Sequence, residues 1–280
     1  MLKGWNIIEQ IGTTPAIADN KVVMYPTDFT DPCILPLEPT TQKEITYSNQ
    51  FSQVTLYSPE GLPHGHYARL LIAFLTTIVR NQRPGEVKVA RSISDLFSAC
   101  TGKRMGGDNQ KAFELVLEKV FTLCIHRREY IKSTEDEFDI RKSALISDYC
   151  CIRKNNGKMT DILFEPSESF RNLVKEKGAH PIDLRALQFF RVNDRKLAHD
   201  LYIFLSRKSV YLTTPSKLLT WQALKSVFPN AICSKDFFFK KKIREAVALI
   251  EVAYTKLNIQ IIENKGLMIY KSPPHIPWKL

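Results

Sequence analysis

The sequence lacks any long uncharged apolar run: no window of its 280 residues approaches the ~18 such residues that a membrane-spanning helix needs. Its start, "MLKGWNIIEQIGTTP", has neither the apolar stretch nor the small-residue cleavage site of a secretory leader. Six cysteines are present (Cys33, Cys100, Cys124, Cys150, Cys151 and Cys233), but none are paired at metal-ligand spacing. Adjacent Cys150 and Cys151 make a poor disulfide framework, so reduced, mostly buried thiols in a cytosolic protein are expected. No Walker-type glycine loop occurs, which argues against nucleotide hydrolysis and leaves no cofactor implied.

What remains is a chain with 44% hydrophobic residues, enough for a real core, and a net charge of +11. That charge is unevenly placed. Residues 1–60 carry 3 basic and 7 acidic side chains, residues 61–165 carry 17 and 13, and residues 166–280 carry 20 and 9. An excess gathered in the last 115 residues is the pattern of a module that meets a polyanion.

Residues 1–60 hold six of the fifteen prolines and little helical periodicity, which predicts an extended arm. From Leu62 the pattern changes. "PHGHYARLLIAFLTTIVRN" predicts an apolar helix, and "SISDLFSAC" a short one capped by Ser92 with Asp95 at capping-box spacing. The turn "TGKRMGG" leads to a third helix, "DNQKAFELVLEKVFTL", with Phe113, Val116, Leu117 and Val120 on one side. Alternating stretches follow, and Asn156-Gly157 marks a tight hairpin because both residues tolerate positive φ. The same order then returns. "DRKLAHDLYIFLSRK" follows "PIDLRALQFF" and predicts a helix with Asp194 as its cap. "TWQALKSVF" predicts a short helix capped by Thr220. "SKDFFFKKKIREAVALIEVAYTKL" is the third helix, and "IQIIENKGLMIYK" a hairpin around Asn264 to Gly266.

Helix, turn, helix and two-stranded ribbon, given twice, predict an α+β chain of two tandem winged-helix domains, mainly helical with β-hairpin wings. The boundaries fall at residues 61–168 and 178–280, behind the arm at 1–60. In this arrangement the third helix enters the major groove of DNA. At 100° per residue, Phe239, Ile243, Ala246, Val247, Ile250, Ala253, Tyr254 and Leu257 share one side of the last long helix. Lys240, Lys241 and Arg244 face away from them, with Lys242 at the margin and Lys235 just ahead. Cations at a helix N-terminus oppose its dipole by ~0.3–1 kcal/mol each, so a ligand explains them better than solubility does. Lys265 in the closing hairpin is a further phosphate contact. In the first domain, Asn109 and Gln110 have the chemistry to pair with adenine edges, Lys111 follows them, and Arg153, Lys154 and Lys158 cluster at the hairpin tip.

A different class of function is suggested by "HGHY", residues 64–67. Two histidines around one residue, with a tyrosine nearby, resemble the metal-binding pair and nucleophile of rolling-circle nicking enzymes. Here the middle residue is Gly65, the pair sits at a helix entry, and no further His/Asp/Glu cluster accompanies it.

Several of these segments together, with the terminal "SPPHIP", occur in the order seen in plasmid replication initiators of the RepA type. The resemblance spans roughly residues 61–276, and its most specific parts are "PIDLRAL" with "AHDLYIFL", the Trp221 segment and the closing Ser-Pro-Pro. It implies a non-catalytic protein of the bacterial cytoplasm. Its implied partners are double-stranded DNA carrying repeated origin sequences (iterons) and host replication proteins, a helicase among them, with a homodimer as one state. It also implies that Lys240, Lys241 and Arg244 belong to a basic recognition helix. A transcriptional repressor on the same scaffold is the other reading within DNA binding.

Overall fold

The computed structural model describes residues 3–30, 33–48, 52–81, 87–132, 137–155, 158–176, 178–232 and 235–277. It is a mixed helix and sheet structure that divides into two compact units. Met1–Cys33 and His180–Leu280 form a discontinuous unit, and Ile34–Ala179 a continuous one.

Residues 1–60, expected as extended chain, contain regular elements. The chain opens with α1 (Trp5–Thr13) and β1 (Val22–Pro26), both in the discontinuous unit. It then enters the continuous unit through β2 (Glu44–Ser48) and β3 (Ser52–Tyr57), an antiparallel pair in which Val54 and Leu56 are buried. Helix α2 (Gly65–Asn81) is the apolar helix the sequence predicts, and Ala68 through Ala73 are all buried on it. Its Arg69 is fully buried: the guanidinium donates to the carbonyls of Leu35 (2.8 Å), Pro36 (3.1 Å) and Gly65 (2.9 Å), which fastens the incoming chain to the helix start.

After β4 (Val87–Ala90) comes α3 (Ile93–Thr101). Ser92 caps it as its spacing predicts, its hydroxyl accepting from the Asp95 N–H at 3.0 Å. Helix α4 (Gly107–Phe121) buries Phe113, Val116, Leu117 and Val120. Phe113 meets Phe97 and Tyr67 edge-on, so the three helices share an aromatic centre.

Where one hairpin was expected, two occur: β5 (Cys124–Lys132) with β6 (Glu137–Leu145), and β7 (Ser147–Asn155) with β8 (Lys158–Pro166). The first joins β2 and β3 in a four-stranded antiparallel sheet of order β2-β3-β5-β6. The second joins β4 in a sheet of order β4-β8-β7. The unit closes with α5 (Glu168–Glu176).

The chain returns to the discontinuous unit along β9 (Ala179–Asp183), which pairs with β1. Helix α6 (Leu184–Val192) follows, and here "PIDLRAL" acquires a physical meaning. Asp183 caps α6 by accepting from the Arg185 N–H (2.9 Å), and its carboxylate also holds the Arg185 guanidinium at 2.8 and 3.0 Å. The far nitrogen of Arg185 donates to the carbonyls of Gln10 (2.9 Å) and Thr14 (2.8 Å), satisfying the C-terminal end of α1. Both charged side chains are 2% exposed.

Helix α7 (Lys196–Lys208) packs against α9 (Asp236–Ala253) and α6. Its cap corrects the sequence expectation. Arg195, not Asp194, occupies the N-cap position, without a side-chain cap bond, and Asp194 stands one residue earlier at φ 49 in the left-handed region. The tight turn out of α6 requires the left-handed residue, a conformation that Asp tolerates better than most. Strand β10 (Ser216–Thr220), helix α8 (Trp221–Val227), β11 (Ile259–Ile262) and β12 (Gly266–Tyr270) complete the unit, with sheet order β10-β12-β11. Thr220 caps α8 by accepting from the Ala223 N–H at 3.1 Å, as predicted. Gly266 has φ 144, and a Cβ there would lie 2.0 Å from the Leu219 carbonyl oxygen, so only glycine lets β10 approach this turn. Among the described residues no helix is long and apolar enough to cross a membrane.

Candidate nucleic-acid interface

The last long helix sorts its side chains nearly as the periodicity predicts. Phe239, Ile243, Ala246, Val247, Ile250 and Ala253 of α9 are buried, as are Tyr254 and Leu257 just beyond it, and Leu249 joins them. Lys241 and Lys242 are exposed, and so are Lys235 at the N-cap and Lys265 in the β11–β12 turn. Among the described residues none of these four lies within ion-pair distance of a carboxylate.

Lys240 and Arg244 are placed differently from the outward position expected of them. Both are half-buried, because Trp221 at the start of α8 covers that flank of α9. The Lys240 ammonium stands 5.4 Å from the indole centroid and the Arg244 guanidinium 5.9 Å, within cation–π range. Arg244 also reaches Glu263 in the hairpin turn at 3.4 Å. The Trp221 backbone N–H donates to the Lys265 carbonyl at 3.2 Å, so the start of α8 seats the hairpin turn directly. Lys225 of α8 ties to Asp236 in the first turn of α9 at 2.5 Å. That bond, and then the charges of Lys225 and Lys240, hold the Asp236 carboxyl below the usual carboxylate range.

The outcome is one surface made by α8, the first half of α9 and the hairpin turn. Of the six cations expected from the sequence, Lys240 and Arg244 lie against Trp221 with Lys265 in the turn that Trp221 contacts, while Lys235, Lys241 and Lys242 are exposed at and near the start of α9, Lys242 towards its other flank. Two acids, Asp236 and Glu263, are set among them and hold two of the patch's cations, Lys225 and Arg244, in fixed positions. Periodicity along one helix could not reveal this, because Trp221, Lys225 and Glu263 arrive from other elements. The surface also carries Phe237 and Phe238, which are 64% and 47% exposed.

In the continuous unit, Asn109, Gln110 and Lys111 are exposed on the first turns of α4. Two of them already have partners: Asn109 accepts from the Tyr67 hydroxyl (3.1 Å), and Gln110 donates to Glu114 (2.8 Å). Lys103 and Arg104, exposed in the turn before α4, add cations that sequence reasoning missed, although "GKRMGG" displays them. Arg153 and Lys154 lie in β7 and Lys158 opens β8, with Asn155 opposite Lys158 in register. Their side chains and the Asn156-Gly157 turn lie outside the described residues.

The "HGHY" segment falls at the entry to α2. Tyr67 packs its ring on Phe97 and Phe113, and His64 is close to the Leu62 carbonyl (3.4 Å). No group of three His, Cys, Asp or Glu side chains able to hold a metal occurs among the described residues.

No family model matches the chain, and no curated protein matches its sequence. In structure it is similar to domains 2 and 3 of RctB. The crystal structure of the selenomethionine derivative aligns with 13% identity and a TM-score of 0.55, covering 89% of this chain and 99% of that one. A second crystal structure of RctB domains 2–3 aligns with 11% identity and a TM-score of 0.53, covering 85% and 94%. At these identities the likeness establishes the fold.

Proposed function

We propose that this chain is a replication initiator of the plasmid type that binds repeated double-stranded sequences at an origin. In this reading each unit carries a winged-helix module. Helix α9 enters the major groove, and the β11–β12 turn follows the phosphate backbone beside it. The observation that supports the reading most is the surface described above: exposed cations at the start of α9, on the side away from its buried stripe, next to a turn with another exposed cation. Lys241, Lys242, Lys235 and Lys265 are positioned to displace counterions from phosphates. Lys240 and Arg244, steadied by Trp221 and Glu263, are positioned for base edges, where a fixed donor discriminates better than a mobile one.

The role is one of binding and assembly, without a catalytic step. Opening of the origin, recruitment of host replication proteins including a helicase, and a homodimeric state belong to the same proposal; they rest on the family resemblance. The continuous unit contributes through Asn109, Gln110 and Lys111 on α4 and through Arg153, Lys154 and Lys158 at the β7–β8 hairpin. Footprinting of the purified protein on DNA flanking its own gene tests the reading. Protection of direct repeats is expected. A single protected palindrome would indicate a repressor instead, and metal-dependent nicking with covalent attachment would indicate an enzyme.

A further inference from the structure

Phe237 and Phe238 occupy the first turn of α9, and the helix gives them no core to enter. The buried stripe begins one residue later at Phe239, which is fully buried, whereas Phe237 is 64% and Phe238 47% exposed. Their rings meet edge-on at 5.6 Å, forming a small apolar prominence instead of two isolated side chains. Around it stand Lys235, Lys241 and Lys242, all exposed, with Lys240 half-buried behind. An apolar knob ringed by ammonium groups suits a partner that is strongly anionic at its rim and apolar at a recessed point. Duplex DNA presents this in the major groove: two phosphate rows flank a floor on which thymine alone displays a methyl group. A protein or lipid partner would offer a broader apolar area than two rings can cover.

We infer that Phe237 is a specificity-determining residue that packs against the 5-methyl group of a thymine in the bound site, with Phe238 buttressing its ring. The inference rests on the DNA-binding reading of α9. Lysines at the same helix start supply attraction to any sequence, while the phenylalanine supplies discrimination, because cytosine has no methyl at that position. The exposure of Phe237 also means that its replacement leaves the core of the unit intact.

The test uses the full-length protein and duplexes that it selects from a random-sequence pool. The best-bound duplex is prepared with thymine and again with deoxyuridine throughout, which removes only the methyl groups. The wild type should bind the thymine duplex about fourfold more tightly for one buried methyl. Phe237→Ala should bind it about tenfold more weakly and lose the preference for thymine over uracil. Phe237→Leu should keep part of both, and the slope of affinity against salt should be the same for all three proteins. A wild type indifferent to the methyl groups, or a Phe237→Ala variant that retains the thymine preference, overturns the inference while leaving DNA binding by α9 standing. Failure of the wild type to select any duplex overturns the DNA-binding reading and the inference with it.

Discussion

Replacing Asp183 by alanine removes the carboxylate on which the start of α6 and the end of α1 both depend. Arg185 would keep the Gln10 and Thr14 carbonyls and the more distant Asp19 carboxylate at 3.5 Å, but would lose its buried partner at 2.8 Å. Breaking a buried pair by removing one side costs ~3–5 kcal/mol, and the residual partners place this case near the lower end. Loss of the α6 cap, worth ~1 kcal/mol, is part of that figure. Trp5 and Trp221 lie in the discontinuous unit and residues 34–179 contain no tryptophan, so tryptophan fluorescence does not report unfolding of the continuous unit. With a urea slope of ~2 kcal/mol/M, the midpoint should fall by about 1.5 M. Asp183→Asn keeps the cap acceptor but not the charge, and should lose about 1 kcal/mol less than Asp183→Ala. Hydrogen exchange in α1 should accelerate in both variants, because Arg185 without the Asp183 charge holds the last turn of α1 less firmly. A loss below about 1 kcal/mol for Asp183→Ala, with α1 still protected, would refute the reasoning.

Three further outcomes are expected. Burial holds the His275 and His180 imidazoles down near pKa 4, below the ordinary 6.5; the Arg207 charge adds to this at His180. The unfolded chain therefore takes up protons that the folded chain resists, so stability is full above about pH 6.5 and falls as pH drops towards 4, by about 2 kcal/mol per histidine at pH 5. Urea midpoints at pH 7 and 5 should show this loss, and His275→Gln should shrink it. Gly266→Ala should destabilise the discontinuous unit by at least about 2 kcal/mol, read from the same fluorescence, since its Cβ meets the β10 backbone. Glu263→Gln removes a negative charge from the hairpin turn and releases Arg244; in mobility-shift titrations affinity for unrelated duplex should rise a few-fold while discrimination in favour of the selected site falls, and unchanged discrimination would show that Glu263 does not position Arg244.

What was legible in the sequence was what neighbours along the chain decide. Ser92 and Thr220 announce their helices because a cap hydroxyl and the backbone N–H that donates to it are three residues apart. The α9 stripe follows from periodicity, and the β11–β12 turn from Asn264 and Gly266. Elements that depend on distant partners were hidden. Helix α1 has no capping side chain and no buried residue of its own; it is held by Arg185, some 170 residues away. Strands β2 and β3 lie in the proline-free gap between Pro39 and Pro59, and their sheet is extended by β5, some 70 residues further on. Asp194 looked like the cap because its residue type suits one, but α7 begins one residue later, with Arg195 at the N-cap position. The basic face of α9 was visible as charge. Its division into exposed Lys241 and Lys242 and restrained Lys240 and Arg244 was not, since Trp221 and Glu263 impose it from outside the helix.

The central claim, that the α9 surface binds DNA through its cations, is tested most directly by salt dependence. Duplex affinity measured across a salt series should fall steeply for the wild type. The Lys240→Ala, Lys241→Ala, Arg244→Ala triple variant should lose specific binding. Its slope of log K against log salt should be flatter by roughly 0.9 for each phosphate that is no longer neutralised. A triple variant that keeps the wild-type slope and site preference would contradict the account.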